Sequence, residues 1–391
     1  MKKLLVILLL GIVAGAFAQT PHPRIDSLLK VGVKRGDISG VVTIIATKDK
    51  ILNINCAGWQ NVEKKTPVTA KSLYWIASQS KPVCGVAVMI CVEDGKLDLD
   101  KPITTYLPEM NNLLVATVDT DTMKILKRTD KPITLRLLLS HTSGVTREDG
   151  VKMAAGKTDL YPLQTSVKVS SVSPLEFAPG EGYRYSNQDM ALAAACIERV
   201  TEMKYEDFLQ KRLFDPLGMK SATFYPTLEA QKNWVVPYGK DKAGNFVPMP
   251  KHPPLTWPLE DRTVRYPSPG GGLFCTPEDL VKFYQMLAGG GMYQGKRILS
   301  EVSVKEISTK QTGNQKEPYG LGCVANNEFF GHGGALGTQS RIYRKSDILV
   351  MYFTQHVQLP NANKFLNSFI STVDSIYKLG EANADAQMYN Q

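Results

Sequence analysis

Paired metal-ligand spacings are missing from this chain of 391 residues: it has no C-x-x-C, no H-x-H and only five histidines. A zinc site has little support on that count. The six cysteines, at 56, 84, 91, 196, 275 and 323, are too few and too dispersed for a disulfide scaffold. Cys84 and Cys91 would share one helix face, but roughly 10 Å of helical rise separates positions seven apart. That forbids a bond between them; whether any other pair among Cys56, Cys84, Cys91, Cys196, Cys275 and Cys323 forms is left open. No G-x-S-x-G occurs, which excludes a classical α/β-hydrolase. Basic residues outnumber acidic ones by 46 to 37, yet they gather only in pairs such as Lys64-Lys65. A nucleic-acid surface would draw them into a patch with aromatics among them, so nucleic acid is not an expected partner.

Long apolar runs are equally scarce. The one that stands out, Leu4 to Ala18, follows the basic start Met1-Lys2-Lys3 and ends in the small-residue text "AFA-QT". This reads as a signal peptide, residues 1–18, cut after Ala18. The run is short for a bilayer span, which needs about 20 apolar residues. The expected mature protein is therefore periplasmic or secreted, with no integral membrane segment after cleavage. Loss of Lys2 and Lys3 lowers the net charge from +9 to +7, a slightly basic solvated surface.

What is present is an ordinary globular composition, 43% hydrophobic and 21% charged, with length for a sizeable core. "RIDSLLKVGVKR" (24–35) has apolar residues at helical spacing, and "SGVVTIIATKDKILNINCAGW" (39–59) gives two β-branched runs around a hairpin turn at Asp49-Lys50. A long apolar helix follows, to about Asp94-Gly95. From there to about 290 the text reads as helices and Pro/Gly-rich connections. They include "TLRLLLSHTSGV" (134–145), "NQDMALAAACIERV" (187–200), "YEDFLQKRLFDPLGM" (205–219) and "TPEDLVKFYQMLAGGG" (276–291), the last opened by a Thr cap with Pro next. Strand character returns at 319–354, a last helix spans 363–379, and the tail from 381 to 391 is polar and loose. Strands at both ends of the chain predict one sheet completed by non-local pairing. The sheet lobe covers about 19–77 and 292–380, and a helical lobe about 78–291 is inserted into it. A cleft between the two is the natural place for a site.

Three short elements carry the candidate chemistry. The first is Ser78–Lys81 in "YWIASQSKPVCGVAV", an S-x-x-K that also occurs at Ser27–Lys30 and Ser375–Lys378, where it reads as helix surface. At a helix start, residues three apart share a face, so Lys81 can reach the Ser78 hydroxyl and take its proton. Pro82 is tolerable only in a first helical turn, which puts Ser78 at the positive helix end. The second element is Tyr185-Ser186-Asn187 in "PGEGYRYSNQD". Tyr185 becomes a proton carrier if a cation such as Lys81 lowers its pKa from near 10. A blander alternative has Tyr185 packed on a loop and Asn187 capping the next helix. The third is His332-Gly333-Gly334 in "FFGHGGALGTQS", ending a predicted strand, where glycines let a substrate backbone approach an exposed edge.

With these elements in this order, and with "PITLRLLLSHTSGV", "FDPLGM", "PGGGLFCTPEDL" and "YGLG" between them, the chain resembles the serine β-lactamase and penicillin-recognising family. The likeness is to its class-C-like branch of esterases, D-aminopeptidases and DD-peptidases, and it covers essentially all of the chain after residue 18. The resemblance implies an α/β (α+β) fold of β-lactamase/transpeptidase type, an antiparallel sheet flanked by N- and C-terminal helices with an inserted helical lobe. It implies a serine hydrolase without a cofactor, acting on a small-molecule ester, amide or peptide. In that reading Ser78 is acylated, and Lys81 and Tyr185 share its proton. Asn187 holds the substrate carbonyl or Lys81, and the N–H groups of Ser78 and Ala335 form an oxyanion hole beside Gly334. His332 stands where β-lactamases usually carry the Lys of K-T-G, so a permanent cation is lost. That favours ester or D-amino-acid amide cleavage over the alternatives, β-lactam or DD-carboxypeptidase turnover and non-catalytic binding of cell-wall peptide. His141 lies in a connecting motif and reads as structural.

Overall fold

The computed structural model describes residues 20–119, 123–145, 162–249, 258–263 and 265–380; the expected signal peptide (1–18) and the tail (381–391) lie outside the described residues. Seven strands form one antiparallel sheet. Its order from one edge is Val324–Ala325, Phe329–Gly333, Gln339–Tyr343, Leu349–Phe353, Gly40–Ala46, Ile51–Asn61 and Thr66–Pro67. The expected non-local pairing is the join between Gly40–Ala46 and Leu349–Phe353, with Val42 opposite Phe353 and Ala46 opposite Leu349.

The sheet is buried on both faces, and the sequence of its central strand shows why. Along GVVTIIA, Val41 and Ile45 pack with Ile25 and Leu29 of the helix Pro23–Arg35 and with Phe365 and Phe369 of the helix Ala362–Tyr377. Val42, Ile44 and Ala46 point to the opposite face and join the larger core, which holds Val83 to Cys91 and much of the helical region. Side chains alternate faces along a strand, so an unbroken apolar run signals a strand covered twice. The exposed positions on the two terminal helices include Ser27, Lys30, Ser375 and Lys378, so those two S-x-x-K pairs are indeed surface; Lys30 pairs instead with Asp26 at 2.7 Å.

The helix Ser80–Glu93 is buried from Ser80 through Cys91, as a helix apolar all round must be. The helices expected at 187–200, 205–219 and 276–291 are found at 187–201, 205–217 and 277–288, the second containing a π-helical turn at Gln210–Phe214. Thr276 precedes the last of these, but its side chain does not cap it; its hydroxyl pairs with that of Ser221 at 2.8 Å. A hairpin, Leu114–Asp119 with Lys124–Arg128, and a helix at Leu163–Val172 lie in the region expected to be helices and connections. The six cysteines are free thiols, five of them buried, and burial pushes the Cys84 thiol up to about 12. No helix among the described residues is long and apolar enough to cross a membrane.

Gly85 sits where the Ser80–Glu93 helix crosses the Leu321–Gly322 segment. A Cβ there would fall well inside contact distance of the Leu321 carbonyl oxygen. In an exposed helix Gly→Ala gains about 1 kcal/mol, whereas overpacking a core costs about 1–3 kcal/mol. With backbone as the obstacle the second effect wins, so Gly85→Ala lowers stability in urea unfolding. An increase would show that the two segments part freely.

Candidate active site

Each element of the candidate site is held by local geometry that the sequence dictates. Tyr74 and Trp75 pair antiparallel with Cys275 and Phe274, Ile76 N–H donates to the Leu273 carbonyl at 3.0 Å, and the chain then turns sharply. Ala77 takes φ +49°, a left-handed conformation that costs a non-glycine about 1 kcal/mol or more. Ser78 follows in a single 3₁₀ turn, Ala77–Gln79, and the α-helix begins at Ser80. Pro82 therefore lies in the first turn, as its missing N–H requires. The Ser80 hydroxyl secures the strained turn: it donates to the Ala77 carbonyl at 2.6 Å and accepts from Leu273 N–H at 3.1 Å. That pair of bonds joins the Ser78 turn to the triple-glycine segment 270–272.

Lys81 is fully buried. Its Nζ lies 3.3 Å from Ser78 Oγ, 2.6 Å from Asn187 Oδ1 and 2.6 Å from the Gly270 carbonyl oxygen. It also stands over the Tyr185 ring, 4.4 Å from the centroid. Carbonyl oxygens only accept, so the two short bonds consume two amine hydrogens. In the neutral amine, the remaining position toward Ser78 is the lone pair. The geometry can thus do one chemical thing well: receive a proton from the serine hydroxyl.

Asn187 is the first residue of its helix, and the cap is its neighbour, Ser186, whose hydroxyl accepts from Gln188 N–H at 3.1 Å. The capping alternative for Asn187 is set aside by that bond, because its side chain is committed to Lys81. Gly270 is required beside it: a Cβ there would lie 2.6 Å from Asn187 Oδ1. Neither the Gly270 carbonyl nor the Ser80 bridge carries a motif, although "PGGGLFC" marks the place.

The third element ends the strand Phe329–Gly333. Gly334 N–H donates to the Thr338 carbonyl at 2.7 Å, closing a tight turn with Ala335 exposed on it. A Cβ on Gly334 would strike Ile76 O, so this turn packs directly behind the Ser78 segment. His332 is 4% exposed. Its Nδ1 is 2.6 Å from the Gly333 carbonyl, which can only accept, so Nδ1 carries the proton. In the neutral ring Nε2 then accepts from the Tyr319 hydroxyl at 2.8 Å. Burial above all holds the imidazole neutral, pushing its pKa down to about 3. Both ring nitrogens thus have partners inside the protein. Tyr319, within the "YGLG" text, is the residue that the motif reading missed.

Under Tyr185 lies His141, fully buried, with its ring 4.6 Å from that of Tyr185 and its Nδ1 2.9 Å from Asp189 Oδ2. Among the described residues no group of three His, Cys, Asp or Glu side chains gathers that could hold a metal ion.

The family model described as Beta-lactamase matches residues 25–371. The chain belongs to the beta-lactamase family, and its fold is the β-lactamase/transpeptidase-like one. An uncharacterized protein of Mycobacterium tuberculosis is 28% identical over 82% of this chain and 86% of its own. The lovastatin esterase of Penicillium rubens is 31% identical over 51% of this chain and 52% of its own. Among solved structures, simvastatin synthase (LovD) from Aspergillus terreus superposes with a TM-score of 0.76 at 20% identity, covering 91% of this chain and 98% of that one. The chain is a serine hydrolase of this family.

The buried neutral imidazole has a consequence for stability. An unfolded histidine takes up a proton near pH 6.5, whereas folded His332 does so near 3. Its contribution is therefore complete above about pH 6.5 and is lost as pH falls toward 3, at up to about 1.4 kcal/mol per unit. Urea unfolding across that window should show a steeper acid loss for the native chain than for His332→Gln. Equal slopes would mean that the ring is protonated in the folded state.

Proposed function

We propose that this chain is an exported serine hydrolase that cleaves small-molecule esters, or D-amino-acid amides, through an acyl-enzyme on Ser78. One observation carries the reading. The Lys81 amine, hydrogen-bonded to Asn187 Oδ1 and the Gly270 carbonyl, lies 3.3 Å from Ser78 Oγ, with the Tyr185 ring against it. In this mechanism Ser78 Oγ attacks the substrate carbonyl carbon as its proton passes to neutral Lys81. The oxyanion forms against the N–H groups of Ser78 and Ala335, Ser78 lying next to the N-terminus of the buried helix. The proton is relayed through Lys81 and the Tyr185 hydroxyl to the leaving oxygen or nitrogen, and the alcohol or amine departs. Water then attacks the acyl carbon with the same groups reversed in role, releasing the acid and restoring Ser78.

The preference for esters rests on charge. A substrate with a carboxylate beside the scissile bond needs a cation near the third element, and His332 is neutral there, with Tyr319 and Gly333 occupying its nitrogens. An esterase among the relatives supports the same class. Export rests on the basic, apolar and small-residue order of residues 1–18.

Three measurements test this reading. A fluorophosphonate probe should label the native protein and Ser27→Ala and Ser375→Ala alike, and should not label Ser78→Ala; persistent labelling of Ser78→Ala overturns the assignment. Against p-nitrophenyl esters, Tyr185→Phe should lose about 100-fold or more in kcat while remaining folded. A kcat near that of the native protein removes Tyr185 from the proton path. In the same assays p-nitrophenyl esters should turn over faster than nitrocefin, and the reverse order would place the chain with the β-lactamases proper.

A further inference from the structure

Behind Tyr185 lies a set of buried groups that the proposed reaction does not use. His141 follows the short helix Leu135–Leu139 at φ +61°, left-handed for a residue that is not glycine. Its carbonyl accepts from Arg184 N–H at 2.9 Å, tying this turn to the segment that carries Tyr185. Its ring touches two others, 4.6 Å from Tyr185 and 4.9 Å from Tyr319, and these two also meet edge to face at 6.2 Å. Tyr319 continues to His332, so a cluster of ring contacts links the second and third elements. Asp189, two residues into the helix from Asn187 and fully buried, places Oδ2 2.9 Å from His141 Nδ1 and accepts the Ser143 hydroxyl on Oδ1 at 2.6 Å.

The location of the proton in this pair follows from a third contact. The backbone N–H of Ser186 lies 3.3 Å from the same His141 Nδ1 and donates to it. A backbone amide can only donate, so this contact is met when Nδ1 presents its lone pair; the ring hydrogen then sits on Nε2, which is buried without a hydrogen-bond partner among the described residues. The contact with Asp189 then has its proton on the carboxyl oxygen. Burial acts in the same direction on both partners, raising the carboxyl well above its ordinary range and lowering the imidazole well below its own.

We propose that Asp189 is a positioning residue in its neutral acid form: it donates Oδ2–H to His141 Nδ1, and the imidazole so locked is the floor that fixes the Tyr185 ring against Lys81. The inference deepens the reading of Tyr185 as a proton carrier and rests on it. The ionisable groups around the pair are Lys81 on its helix, His332 on the strand Phe329–Gly333, and Glu176, Tyr183, Tyr185 and Tyr319 on the connecting segments. An uncharged pair adds no ion among them, so the carboxyl can be replaced by its neutral isostere but not removed.

The test compares Asp189→Asn with Asp189→Ala. The amide still donates to Nδ1 and accepts from Ser143, so Asp189→Asn should lose less than about fivefold in kcat on p-nitrophenyl esters. Asp189→Ala releases the ring and should lose about 100-fold in kcat with little change in KM, the effect of shifting a reacting group by roughly an ångström. A purely structural role would instead lower the urea midpoint of both variants without this split. If Asp189→Asn falls as far as Asp189→Ala while keeping the native urea midpoint, a charged carboxylate is needed and the proposal fails. Nitrogen-15 spectra of the native protein give a readout that needs neither variant folding nor turnover. His141 should appear as the Nε2–H tautomer from pH 6 to 8, and an imidazolium or Nδ1–H signal overturns the assignment. The spectrum decides where the proton sits whether or not Tyr185→Phe keeps its activity, so the two readings fail separately.

Discussion

Everything near Ser78 is arranged around an amine that has no access to water. Burying an ammonium or amine without partners is among the largest penalties a fold can carry, so the oxygens near Lys81 Nζ are obligatory. They come from far along the chain, Asn187 Oδ1 across 106 positions and the Gly270 carbonyl across 189. Each imposes its own local demand. Asn187 can turn to Lys81 because Ser186 has taken over the cap. Gly270 can approach because it has no Cβ to strike the Asn187 oxygen. The Ser80 hydroxyl, placed one residue before Lys81, fixes the triple-glycine segment against the same turn through Leu273 N–H. One buried nitrogen thereby sets the relative position of three remote segments.

The sheet supplies the fourth. Its strand Phe329–Gly333 runs into a turn that closes on Ile76, two residues before Ser78, so the third element is packed behind the first. This contact depends on the join between strands near the two ends of the chain, Gly40–Ala46 and Leu349–Phe353. Non-local pairing of this kind closes a long loop before its contacts are rewarded. The terminal helices, through Ile25, Leu29, Phe365 and Phe369, cover the face that such a join would otherwise leave open.

The parts of this arrangement that sequence alone revealed are those in which periodicity and turn chemistry suffice. Alternation at 40–46, the unbroken apolar helix after Ser80 and the position of Pro82 all follow from side-chain type. The three S-x-x-K pairs could not be told apart by spacing, and exposure now separates them: two lie on the outer helices and one in the core. What stayed hidden has a common physical origin. The Gly270 carbonyl is backbone, which every residue has, and so leaves no mark in the text. Ser80, Asp189 and Tyr319 act through partners that only folding brings near. The pairing of Leu114–Asp119 with Lys124–Arg128 was not foreseen because exposed positions dominate both strands, Ile125 to Arg128 without a break, and with Val115 as the one described side chain that reaches the core the alternation that signals a strand is weak.

His332 is the place where residue type and environment have to be read together. By type, a histidine in the third element is a weak cation that acid could charge. In the fold it is an uncharged bridge, its Nδ1–H given to the Gly333 carbonyl and its Nε2 accepting from the Tyr319 hydroxyl. A lysine at the same position could hold the same two partners only by donating to both: it has no acceptor for the tyrosine hydrogen, and its ammonium would enter a space already depleted of water. The Tyr319 hydroxyl would then have to accept from the ammonium and send its own hydrogen elsewhere, while its ring rests against both His141 and Tyr185. The difference between histidine and lysine at this position is therefore not confined to the charge a substrate meets. It reverses the hydrogen bond to a tyrosine whose ring touches the second element, so a change of substrate class by substitution at 332 alone must also accommodate a cation in a buried site.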